Sequence, residues 1–324
     1  MSSERETHES TSSDGFNTDN EIEDNNEIPN DIKEAREKWE NIEKQQVDLE
    51  QNLETKIGVG GVTIDRGSPI TFYDARAFLI EECENSPEIK NCRIPDLVLD
   101  PPRCFCFRPK CNMDAIDTWK KIFKISKLKF DENNLLHHRI LNTLHMLITG
   151  RSTPPARKGS HWKSIGFQSN DPITDLRGAG MMGLLLPLNL FAKYKALSKF
   201  LVDTSKLPEQ NFPIMVVLIS YTKASIEAAG TTDILKSDHS FEQCWDQMSL
   251  FFAGMVHTLC TEWRNELLDF EHDFTRFDQI SKRGKSRPLA MIEAGTKASL
   301  EDEKYLTKES GDNIAKVMYD KNSD

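Results

Sequence analysis

The chain has 324 residues, 38% of them hydrophobic, which supplies a core for one large domain or two modest ones and excludes collagen-like, mucin-like and channel architectures. Lys and Arg number 41 against 52 Asp and Glu, and residues 1–56 hold 6 of the former and 17 of the latter. The whole excess of −11 therefore sits in the N-terminal sixth, and the charge-balanced remainder lacks the basic surplus of a nucleic-acid binder.

Seven cysteines, an odd number, argue against a secreted disulfide framework and for a reducing, cytoplasmic compartment. Met1 to Asn20 has no apolar core of a secretory signal. The longest apolar stretch, Met181 to Leu188, falls well short of the roughly 20 residues that span a bilayer. A soluble protein is expected, with membrane or cytoskeletal contact at most peripheral.

Residues 1–29 are acidic and polar, with too little apolar surface to offset the entropy of ordering, and read as disordered. From 30 to 56, Ile32, Ala35, Trp39, Ile42, Leu49 and Leu53 repeat at helical spacing. This is an amphipathic helix, either a coiled-coil seam or a single helix docked on the body. Fewer than four heptads favours the second. Residues 57–112 read as a linker and extension, with Gly58, Gly60, Gly61 and Gly67 marking a flexible joint, a weak helix near Thr71 to Glu82 and a Pro-bearing stretch from Ser86 to Pro109.

The body, 113–280, is helical. Two helices run from Asp114 to Ser126 and from Glu132 to Thr149, the second stopped by Gly150. Arg151 to Gly159 is a loop. Pro187 is expected to kink the helix that carries it. Pro213 opens a helix through Val217, Tyr221, Ala224 and Ala228, with Gly230 after the run. Ser240 and Gln243 form a capping box for one long helix whose stripe extends from Phe241 through Leu267, Phe270 and Phe274 to Phe277, a core-packing pattern. Residues 281–324 read as a polar, frayed tail. No strand-length alternation and no fixed repeat is evident, so the fold class is all-α, a multi-helix domain and not a solenoid.

Several chemical motifs fail. Gly284-Lys285-Ser286 lacks the earlier glycine of a P-loop, and Gly58-Val59-Gly60 lacks the third glycine of a dinucleotide fingerprint. Cys104, Cys106 and Cys111 lack paired zinc-knuckle spacing and read as ordinary thiols, with acylation of Cys104 or Cys106 the sharper alternative. His137, His138 and His145 lack zinc-protease spacing, and no nucleophile elbow is present. No metal and no cofactor are expected.

The informative segment runs from His161 to Leu184. Asp171-Pro172 is a helix-opening pair that places Asp175 and Arg177 near an N-terminal helical turn, and Gly178, Gly180 and Gly183 permit close backbone approach. Two readings stand side by side. In one, the glycines let helices cross while Arg177 pairs internally with Asp171 or Asp175. In the other, Arg177 is displayed beside glycines as a guanidinium that phosphoryl-transfer chemistry recruits in trans. Asp175 and Gln168 could orient Arg177 or its loop, or serve as plain cap and loop hydrogen bonds. Trp162 and Phe167 anchor the loop to the core.

The pattern Trp162-x-x-Ile165-Gly166-Phe167-Gln168-x-x-Asp171-Pro172-x-Thr174-Asp175-Leu176-Arg177-Gly178-x-Gly180-x-x-Gly183-Leu184 resembles the signature of the ELMO domain, in particular of ELMO domain-containing GTPase-activating proteins. The resemblance covers about Asp131 to Gln279, and the spacing around Pro101-Pro102-Arg103 is similar to the third branch of that family. It implies an all-helical domain that accelerates GTP hydrolysis on GTP-bound Arf-family and Arf-like small GTPases. The arginine on which that activity depends matches Arg177. The alternative it carries is a non-catalytic scaffold or regulator of small-GTPase and cytoskeletal signalling.

Overall fold

The computed structural model describes residues 57–59, 62–64, 68–96, 113–231, 234–235 and 239–321. The expectations for 1–56, for Pro101-Pro102-Arg103 and for Cys104, Cys106 and Cys111 lie outside the described residues. A short antiparallel hairpin pairs β1 (Ile57–Val59) with β2 (Val62–Ile64), Gly58 opposite Thr63. Of the four glycines expected to mark a flexible joint, Gly58 lies in β1, and Gly60, Gly61 and Gly67 lie outside the described residues. Among the described residues, everything else with regular structure is helical, as an all-α fold requires.

Thr71 caps α1 (Phe72–Asn85) by accepting the Asp74 N–H, and Ser86 caps the short α2 (Pro87–Lys90). Helix α3 (Met113–Lys127) buries Ala115, Trp119, Ile122 and Ile125 along one stripe. Asn134 opens α4 (Leu135–Thr149), and Gly150, at φ 70°, closes it with an N–H to the Met146 carbonyl. A short α5 (Ser160–Ser164) and a 3-10 helix (Pro172–Gly178) lead into α6 (Met182–Lys193).

Helix α6 is the hub. Every residue from Met182 to Phe191 is buried, the signature of a helix enclosed on all sides. It packs against α1, α3, α4, α7 (Lys195–Ser205), α8 (Ile214–Thr231) and α9 (Phe241–Asn265). Pro187 lies within it, and each leucine it buries is worth about 2 kcal/mol over exposure. Three expectations need correction. Gly230 lies inside α8, not beyond it, because the Trp119 ring occupies the space where a β-carbon would sit, 2.7 Å away.

The long aromatic stripe is not one helix. The capping box of Ser240 and Gln243 opens α9, but α9 ends at Asn265 with Leu267 in the left-handed region (φ 53°) and the Leu268 N–H on the Trp263 carbonyl. The chain restarts as α10 (Phe270–Asp273), capped by Asp269, and α11 (Thr275–Ser286). Trp263 and Phe277 stay in the core, stacked at 4.9 Å, whereas Leu267, Phe270 and Phe274 face solvent. Nor does the chain fray after Ser281: α12 (Pro288–Lys321) follows, burying Met291 and Ala298.

Helix α12 docks on α9 through two glycines. A β-carbon on Gly254 would lie 1.8 Å from the Met291 carbonyl oxygen, and one on Gly295 would lie 1.9 Å from that of Leu250. The helices touch backbone to backbone. Gly254→Ala is expected to separate them at a cost of about 2 kcal/mol or more, read as a lowered urea midpoint; an unchanged midpoint would mean that α12 is not part of the cooperative fold.

Candidate functional site

The site is built around Trp162 of α5, which has no exposed surface. Its indole N–H donates to the carbonyls of Ala156 (3.2 Å) and Arg157 (3.0 Å), and its ring meets Phe167 edge-on at 5.8 Å. Phe167 is buried too, and its N–H returns to the Trp162 carbonyl at 3.1 Å. Between them Gly166, at φ 89°, presents its carbonyl to the Val216 N–H in the first turn of α8. The loop thus enters the domain as a rigid plug.

Asp171 fixes the next segment. Its Oδ1 accepts the Ile173 N–H and so caps the 3-10 helix, with Pro172 buried in the first turn. The same carboxylate binds Arg157 Nη2 at 2.9 Å and Lys158 Nζ at 3.2 Å. Burial pushes the Asp171 carboxyl up, but the hydrogen bonds and charge of these two cations outweigh it and hold the group below its ordinary value. The Thr174 hydroxyl donates to the Asp171 carbonyl at 2.9 Å, and Asp175 Oδ2 accepts the Gln168 N–H at 2.7 Å. The loop before the 3-10 helix and the helix itself are therefore laced together.

Arg177 stands at the end of this lattice. It is exposed and makes no hydrogen bond or ion pair with any described residue. The internal pairing weighed for it is not made: Asp171 is occupied by Arg157 and Lys158, and Asp175 by Gln168 and Thr174. Neither Asp175 nor Gln168 touches the guanidinium. Gln168 acts through its backbone, and its side chain is exposed.

Beyond Arg177 the chain runs close to α3. Gly180 has φ 52°, and a β-carbon there would lie 2.5 Å from the Ser126 carbonyl oxygen, while the Met181 N–H donates to the Leu128 carbonyl at 3.0 Å. Gly178 is exposed and is crossed by Lys223 of α8, whose Nζ would be 3.0 Å from a β-carbon at that position. Lys223 thus joins Arg177 on one surface. Sequence reasoning missed three contributors: Arg157 and Lys158, which sit in a stretch read only as a loop, and Lys223. Only tertiary packing brings them here, so no local signal marks them.

Elsewhere His137 is committed to the Asp131 N–H and Glu82. His145 is buried with no partner on either ring nitrogen. Burial, His161 and Arg151 push it down to about 4, from an ordinary 6.5. Cys83, Cys92 and Cys260 are free thiols, and among the described residues no cluster of three or more His, Cys, Asp or Glu could hold a metal ion.

Two measurements check this construction. Asp171→Asn keeps the cap but loses the two cations, and is expected to lower stability by about 1–2 kcal/mol in urea unfolding; no loss would show that Arg157 and Lys158 are not held by the charge. Because folded His145 titrates near 4, the unfolded chain takes up a proton between about pH 6.5 and 4 that the folded chain does not. Stability should fall on acidification by as much as about 1.4 kcal/mol per pH unit across that window. His145→Phe should flatten that slope, and equal acid sensitivity in both proteins would place the labile group elsewhere.

Comparison with known proteins bears on the same region. The ELMO/CED-12 family model matches residues 120–279, which enclose the whole lattice around Arg177. ELMO domain-containing protein 3 of Mus musculus is 25% identical over 195 residues, 59% of this chain and 51% of that protein. ELMO domain-containing protein 2 of Bos taurus is 30% identical over 118 residues, 35% of this chain and 40% of its own length. ELMO domain-containing protein B of Dictyostelium discoideum is 40% identical over 65 residues, 20% and 23% of the two chains. The chain spans about half the length of the ELMO domain-containing protein 3 sequences that it matches. No solved structure matches it.

Proposed function

Because the ELMO/CED-12 family model matches residues 120–279 of this chain, we propose that the protein regulates small GTPases, and specifically that it accelerates GTP hydrolysis on an Arf-family or Arf-like GTPase by lending it Arg177. One observation carries the reading: an exposed, unpaired guanidinium on a 3-10 helix that Trp162, Asp171 and Asp175 hold in place. The sequence resemblance of Trp162 to Leu184 to GTPase-activating ELMO domains supports it.

The chemistry follows from charge. As the γ-phosphoryl group departs, negative charge spreads over its equatorial oxygens and the leaving oxygen. A planar guanidinium with a forked set of donors neutralises that charge at two points, which an ammonium cannot reproduce. The GTPase would supply Mg²⁺, phosphate-binding loop and water-positioning glutamine; this chain supplies a side chain and a rigid mount. Rigidity matters because an arginine already positioned loses less freedom when it enters the partner's site. Lys223, on the same surface, would attract the acidic rim of a nucleotide site before docking.

The test is a single-turnover hydrolysis assay across GTP-loaded Arf-like GTPases. Arg177→Lys should fold normally and lose about a thousandfold of the stimulated rate. Lys223→Ala should weaken apparent affinity a few fold and leave the saturated rate intact. Retained activation by Arg177→Lys would sink the mechanism. In a companion measurement, a GTPase loaded with GDP and aluminium fluoride should bind this protein more tightly than the GDP form; equal affinity would leave a non-catalytic scaffold in its place.

A further inference from the structure

A second feature lies behind the Trp162 plug. An open cavity of about 580 Å³ lies between the end of α4, α5, the end of α7 and the start of α8. Its wall carries Arg151, Lys163 and Lys206, together with His145 and His161, and no Asp or Glu. The three cations are exposed and have no carboxylate partner among the described residues. In a charge-balanced body, three such cations line one concavity without an acid among its lining residues.

The wall is also short of acceptors. His145 is 1% exposed, and neither of its ring nitrogens has a partner. A buried ring with two idle nitrogens, one of which must carry a proton, leaves a donor unsatisfied. His161 donates its Nε2–H to the Ala156 carbonyl, 2.8 Å away, and its ring meets His145 edge-on at 5.5 Å. Pro213 and Ile214, at the start of α8, complete that side of the wall. The three cations and the idle His145 donor together favour a multiply charged anion.

The rim adds a second requirement. Phe270 lines the mouth and is 40% exposed. Leu267 and Phe274, three residues before and four after it, are 78% and 58% exposed. Leu267 also holds φ 53° at the end of α9, a conformation that glycine adopts freely and leucine at a cost of about 1 kcal/mol. The Leu267 backbone closes α9, but its side chain is left bare, which directs attention to something outside the domain.

From the cation wall and the apolar rim together, we propose that this cavity receives the phosphorylated headgroup of an anionic membrane lipid while Leu267, Phe270 and Phe274 enter the bilayer interface beside it. Arg151, Lys163 and Lys206 supply charge-assisted hydrogen bonds to phosphate oxygens, and His145 gains the acceptor it lacks. The bare apolar side chains find the only medium in which their exposure is favourable. Among the described helices none is long and apolar enough to cross a membrane, so the attachment is to the surface. The inference does not rest on the role of Arg177.

Sedimentation of the 324-residue chain with vesicles tests it. Phosphatidylcholine vesicles carrying phosphatidylinositol bisphosphate should bind about tenfold better than vesicles brought to equal charge with phosphatidylserine. Soluble inositol trisphosphate should bind by calorimetry. The surface double variant Arg151→Glu with Lys206→Glu should lose about tenfold toward both probes, with circular dichroism unchanged. Leu267→Glu with Phe274→Glu should lose the vesicle and keep the soluble headgroup. Equal binding to both charged vesicles, or full binding by the Arg151 and Lys206 variant, would overturn the site. Binding of inositol trisphosphate without any vesicle attachment would overturn the lipid source and leave a soluble phosphorylated ligand.

Discussion

The Asp171 carboxylate accepts a backbone N–H that starts the 3-10 helix and at the same time binds Arg157 and Lys158. That one group settles two things. It fixes where the segment after it begins, and it commits one of the two acids that precede Arg177 in the segment to other cations. Electrostatic pairing is a competition for a limited number of oxygens, and two cations from the preceding loop win it. Arg177 is left at the surface because the fold has already spent its neighbours, so its exposure is a consequence of local bonding and not of a missing contact.

The mount beneath that lattice is hydrophobic. Trp162 and Phe167 are buried, and α6, enclosed on every side, begins just after Gly180 has brought the chain against α3. Deep burial costs the polar edges of such residues their water, and each is repaid in hydrogen bonds: the Trp162 indole finds two carbonyls, and the Gly166 carbonyl finds the first turn of α8. The same plug forms one wall of the cationic cavity, since His161, Lys163 and Gly166 line it. A change in that cavity would therefore be felt by the loop that carries Arg177, because both share α5 and the chain up to Phe167.

Much of the candidate site is legible in the sequence. Asp171 followed by Pro172 announces a helical start, and the bulky Trp162 and Phe167 within a polar, Gly-bearing stretch announce anchors. The readings failed where a remote partner decides. Leu267, Phe270 and Phe274 continue a faultless helical period, yet α9 stops at Asn265 and leaves them in solvent; periodicity reports what a helix could bury, not whether a neighbour is there to cover it. Residues after Ser281 are polar enough to suggest fraying, and are helical because Gly254 and Gly295 let α12 lie directly on α9.

By itself, the sequence determined the helical class, the caps at Gly150, Asp171 and Ser240, and the placement of Arg177 beside small residues. These are properties of neighbours along the chain, where spacing and side-chain chemistry act over one or two helical turns. Tertiary structure alone decided which acid each cation meets, that Lys223 crosses Gly178, and that Arg151, Lys163 and Lys206 surround one concavity. Those outcomes depend on distances between residues far apart in the chain, and only the packing of helices around α6 sets those distances.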